Sequence, residues 1–61
     1  MGEKLKEMRR AQHISMRELS RLSGVSRPTL SRIESGAVDS VRVGTLVAIA
    51  KVLGVSVRDF F

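Results

Sequence analysis

The sequence predicts an all-α fold of five short helices. Three observations predict it. Apolar residues recur at helical spacing, serines stand at the starts of the periodic stretches with an acidic residue or proline soon after them, and glycines stand where helices must stop.

The first helix is expected over about residues 2–12, with Leu5 and Met8 inward and Lys4, Lys6, Glu7 and Arg10 mostly outward. Ile14 follows at the junction, and His13 reads as an ordinary loop residue. Ser15 and Glu18 have the spacing of a capping box, so a second helix should start at Met16. Met16, Leu19 and Leu22 are expected on one side of it, with the small Ser20 and Ser23 available for close helix contact. Gly24 can take the positive φ that ends a helix, and Ser26 with Pro28 starts the third. At about 100° per residue, Leu30 and Ile33 of that helix face inward, while Pro28, Ser31, Arg32 and Ser35 share the opposite face, with Arg27 on its flank.

A fourth helix is expected over about residues 43–53, burying Val43, Leu46, Val47, Ala50 and Leu53 and closed by Gly54. Ser56 and Asp59 form another cap signature, which predicts a short fifth helix over 57–61. Phe60 and Phe61 are the two aromatic residues, and neighbours about 100° apart cannot both face fully inward. Arg9 and Glu34 border the core faces of their own helices, so they are either a partly buried pair or two separate surface charges.

Two short helices joined by a tight glycine turn, over residues 15–36, have the form of a helix-turn-helix. In such motifs the second helix enters the major groove of DNA, where arginine can give two hydrogen bonds to guanine O6 and N7. Arg27 and Arg32 either do this or form a solvated helix face. Charge follows the motif: residues 1–34 hold eight basic side chains against four acidic, residues 35–61 three against two, and the whole chain is +5. An isoelectric point of about 11.2 favours polyanionic partners without separating DNA from RNA or anionic lipid.

The 61 residues are expected to form one small domain, without cysteine for disulfides and with one histidine, His13, so a metal centre is not expected. Lack of cysteine agrees with a reducing cytosol, and cytoplasmic location is the expectation. No run of 18 apolar residues offers a spanning helix, and the first residues, with Glu3 and Glu7, lack the apolar core of a secretion signal. No acid–base or nucleophile constellation is evident, because the serines sit at caps and contact faces and His13 has no paired acid. An enzyme, a cofactor and a small-molecule ligand are therefore not expected.

The segments Leu5–Arg10, Ile14–Ser20, Gly24–Gly36 and Thr45–Ser56 together resemble the Cro and phage-repressor helix-turn-helix family, also called XRE-type regulators. The resemblance covers essentially the whole chain. It implies a compact five-helix lambda-repressor-like domain that binds double-stranded operator DNA as a transcriptional regulator, most simply a repressor. By that resemblance Arg27, Pro28, Ser31 and Arg32 lie at base edges, and Ser15, Met16, Thr29 and Ser35 near phosphates; Arg17 and Arg42 are further candidates for phosphate contact. It also pairs Arg9 with Glu34 and buries Phe60. Met16 departs from a frequent glutamine and offers only its backbone amide, Pro28 cannot donate a hydrogen bond, and Val38, Val41 and Arg42 replace a loop that often carries proline and a hydroxyl cap.

One domain of this size reads only a few base pairs, so a homodimer on DNA is expected. The resemblance implies contacts through the loop and C-terminal helix, where Val55, Val57 and Phe61 are candidates, with Val38 and Val41 as further ones. Phe61, Val38 and Val41 can equally be the edge of an ordinary core. An antitoxin-like protein-interaction module with secondary DNA binding is the alternative class, and a membrane-surface peptide is disfavoured because turns and caps divide the chain into packed helices.

Overall fold

Serine caps and left-handed turns divide the chain into helices much as the spacing predicts, in a computed structural model that describes residues 2–36 and 41–61. Helix α1 spans Gly2–Ala11, α2 Met16–Ser23, α3 Arg27–Glu34 and α4 Val43–Leu53, and a single 3-10 turn, Val57–Phe60, comes last. Among the described residues there is no strand.

Each boundary has a local cause. The Ser15 hydroxyl accepts from the Glu18 amide at 3.1 Å, but the expected return bond, donated by the Ser15 amide to the Glu18 carboxylate, is absent, and that carboxylate lies 3.9 Å from Arg21. The capping box is thus half formed. Ser56 and Asp59 make the full one, the Ser56 amide donating to Asp59 Oδ2 at 2.9 Å. That box opens the expected short fifth helix, which takes the form of a single 3-10 turn, as is common for so short a terminal segment.

Helix α1 stops one residue earlier than expected, and His13, with φ 56°, takes the left-handed position there. The His13 amide donates to Arg10 O at 3.0 Å and the Ile14 amide to Arg9 O at 3.1 Å, the two bonds of a Schellman motif. Histidine therefore stands where glycine is favoured. It lies in the loop as expected, and its left-handed backbone is what ends α1 there.

The core consists of Leu5, Leu19, Leu30, Ile33, Leu46, Ile49, Ala50, Leu53 and Phe60, with Met8, Ile14, Met16, Val25, Val41, Val52, Val55 and Val57 packed around it. Helix α2 packs on both α3 and α4, and α1 packs on α3 and the 3-10 turn. Gross burial of each large apolar side chain contributes about 1.5–3 kcal/mol. Two expected stripes shift. Leu22 is 49% exposed, because a residue three beyond Leu19 and six beyond Met16 has rotated about 120° from the latter. Helix α4 buries Ile49 with Leu46, Ala50 and Leu53 and so turns Val47 outward, while Val43, about 20° round from buried Ala50 but at the first position of the helix, is 70% exposed. Phe60 is buried and Phe61 is 67% exposed, as neighbours on a helical turn require.

Candidate nucleic-acid interface

Gly24, at φ 76°, ends α2, and its amide donates to Ser20 O at 3.0 Å. Val25 alone separates it from Ser26, whose hydroxyl accepts from the Thr29 amide at the start of α3. Pro28 lies in the first turn of α3, where its missing N–H costs nothing. Leu30 and Ile33 anchor the inner face of α3 in the core, so the opposite face is fixed outward.

That outer face carries Arg27, Pro28, Ser31 and Arg32, all exposed. Among the described residues, the hydrogen bonds and ion pairs of the chain involve none of these four side chains. Two of the residues expected near phosphates are already engaged: the Thr29 hydroxyl shares a 2.8 Å hydrogen bond with that of Ser26, and the Ser35 hydroxyl donates to Arg32 O at 2.9 Å. Ser15 is occupied as a cap, and Met16 packs partly against the core. Arg17 is exposed on α2, and Arg42 is exposed at the start of α4, where it makes no side-chain cap bond.

Ser15, Arg17, Glu18 and Arg21 line one shallow hollow beside the start of α2. Arg21 was not among the expected phosphate partners. Its spacing of four from Arg17 was the available signal, since residues so spaced share a helix face. Its nearest charge is Glu18, so it is only loosely committed within the chain.

The far end of α3 is held by α1. Arg9 Nε donates to Glu34 Oε2 at 2.7 Å and Nη2 to Oε1 at 3.1 Å, while Nη1 donates to Ile14 O at 2.9 Å. The two side chains are only 11% and 7% exposed, so the choice between a pair and two separate charges falls to a buried, two-pronged pair. Hydrogen bonding to Glu34 raises the Arg9 pKa above its ordinary value, against the opposing effect of burial and with the Glu34 charge adding to the rise. Gly2, on one face with Leu5 and Arg9, seats on the same helix end. A Cβ there would meet the carbonyl oxygens of Ile33 and Glu34, the latter at 2.7 Å.

Of the expected dimer residues, Val41, Val55 and Val57 lie half-buried against the core and Phe61 is exposed; Val38 lies outside the described residues. The structure adds exposed Val43 and Val47 on α4. Among the described residues no group of three potential metal ligands converges, and no helix is long and apolar enough to cross a membrane.

Two capped helices across a glycine turn, the second anchored at both ends with an unpaired basic face, define a helix-turn-helix protein. The helix-turn-helix family profile matches residues 5–60. The chain belongs to the Cro and phage-repressor, or XRE-type, helix-turn-helix family. It is 38% identical over 60 residues to the HTH-type transcriptional regulator PuuR of Escherichia coli (strain K12), which covers 98% of this chain and 32% of that protein. It is 37% identical over 54 residues to the uncharacterized HTH-type transcriptional regulator RghRB of Bacillus subtilis (strain 168), covering 88% of this chain and 39% of that one. The chain thus spans about a third of the length of the curated relatives it matches. The crystal structure of the restriction-modification controller protein C.AhdI from Aeromonas hydrophila superposes with a TM-score of 0.89 at 30% identity, covering 98% of this chain and 89% of that one.

Proposed function

We propose that this chain is a non-enzymatic, sequence-specific DNA-binding domain that regulates transcription in the cytoplasm. The carrying observation is the outer face of α3, where Arg27, Pro28, Ser31 and Arg32 are exposed and uncommitted. Arg27 and Arg32 read guanine edges, Ser31 donates or accepts at a base edge, and Pro28 contributes apolar contact with a thymine methyl. Arg17, Arg21 and Arg42, with the backbone amides at Ser15 and Met16, hold flanking phosphates and set the register.

Two copies bind a two-fold operator as a homodimer, with α3 helices about 34–36 Å apart in successive major grooves. The exposed apolar Val43 and Phe61 supply part of the contact, with Val41, Val55 and Val57 at its edge. Repression by occlusion of a promoter is the simplest output, and no cofactor is needed for it.

Titration of a library-selected duplex and a random duplex at two salt concentrations tests this. Affinity should fall with a log–log slope of about −0.9 for each phosphate contacted, and the selected duplex should remain favoured. Equal affinity for both duplexes at every salt would leave only a nonspecific polycation.

A further inference from the structure

We infer that Ser20 and Ser23 are positioning residues for α3, forming a two-hydroxyl clamp on the backbone of Val25. This rests on the DNA-reading role of α3. Val25 is the sole residue between the left-handed Gly24 and the cap Ser26, so its amide and carbonyl lie outside the hydrogen-bond ladders of both helices. It is also half-buried against the core, where water cannot freely replace a missing partner. Both groups are satisfied by α2. Ser20 Oγ donates to Val25 O at 2.6 Å, and the Val25 amide donates to Ser23 Oγ at 3.2 Å. Ser23 is itself oriented, since its hydroxyl donates to Leu19 O at 2.7 Å.

The consequence is directional. Apolar packing of α2 on α3, with Leu19, Leu30 and Ile33 all in the common core, brings the two helices together, but such contact tolerates sliding and rotation. Hydrogen bonds at both sides of one peptide residue fix angle as well as distance. Arg27 begins two residues later, so a small rotation at Val25 is carried directly into the placement of the reading face. Leu22, exposed on the same helix, cannot supply that restraint. Discrimination among sequences depends on this clamp more than the electrostatic grip on phosphates does, because base-edge bonds are geometrically demanding and charge attraction is not.

The test compares the intact chain with Ser20→Ala, Ser23→Ala, the double variant and Ser23→Thr, which keeps a hydroxyl. Amide hydrogen exchange by NMR reads the clamp without DNA, and affinities for a selected and a random duplex read its effect. Exchange at Val25 should quicken in Ser23→Ala and the double variant, while Ser23→Thr restores protection. Affinity of Ser20→Ala for the selected duplex should fall about tenfold and for random duplex less than about twofold, with helix content unchanged. Unchanged Val25 protection in the double variant would overturn the clamp. Lost protection with an unaltered ratio of the two affinities would overturn its positioning role. Failure of the intact chain to prefer any duplex would instead refute the DNA-reading role, and Val25 exchange would still decide whether the clamp exists.

Discussion

Glu34→Leu removes the carboxylate from beneath the Arg9 guanidinium. Of the three hydrogen bonds that Arg9 makes, the two to Glu34 vanish and the bond to Ile14 O remains. With Arg9 only 11% exposed, the cation keeps its burial cost and loses its compensation. Breaking one partner of such a pair costs about 3–5 kcal/mol. A core of this size supplies about the same. The single variant should therefore be largely unfolded at room temperature, and Glu34→Gln, which keeps one acceptor, should lose less. Combining Arg9→Met with Glu34→Leu removes both charges and should recover most of the loss, since apolar residues of similar volume often replace a buried pair without penalty.

Urea denaturation followed by circular dichroism measures the cycle, the chain having neither Trp nor Tyr to serve as a fluorescence probe. The raised pKa of Arg9 gives the linkage a sign: its contribution is complete below the ordinary guanidinium value and is lost only as pH rises through the higher folded one. Ionisation of Arg9 should accordingly leave stability flat across the neutral range. Additive losses in the double variant would refute the coupling, and with it the view that α1 holds the end of α3.

The same geometry gives three further outcomes. Gly2→Ala should destabilise by more than about 1 kcal/mol in the same denaturation assay, because the new methyl meets backbone carbonyls that cannot turn aside. His13→Gly should raise the urea midpoint, by up to about 1 kcal/mol of stability, since glycine relieves the left-handed strain at φ 56°. Gel shifts should show a full palindrome bound more tightly than an isolated half-site, and Val43→Glu should narrow that difference while leaving half-site binding intact; equal affinity for both duplexes would exclude the dimer.

The elements that were legible in the sequence are those set by residues close together in the chain. Ser15, Ser26 and Ser56 act on amides two or three positions away, and Gly24 and Gly54 on their own φ, so local spacing was enough. The outward face of α3 was equally legible, because Leu30 and Ile33 are its only large apolar residues. Helix α4 defeats the same reasoning. It is apolar almost all round, with Lys51 its single charge, and periodicity cannot choose between a stripe through Val43 and Val47 and one through Ile49. Packing made that choice. The helix stop at His13 was missed because histidine favours the left-handed backbone far more weakly than glycine, and the Ser20 and Ser23 bonds were missed because they depend on how the turn folds back over α2. Arg9 and Glu34 show the middle case: their angular positions marked them as anomalous, while the family resemblance supplied the pairing that the structure then displays.

Selection of bound sites from a random duplex library, run in parallel with the intact chain and Arg32→Ala, tests the central claim that α3 reads DNA sequence. The intact chain should enrich a short motif, repeated with two-fold symmetry, and Arg32→Ala should enrich the same motif with preference relaxed at one position in each half, the loss of about 1–3 kcal/mol of discrimination there. No enriched motif from the intact chain, or identical motifs from both proteins, would contradict it.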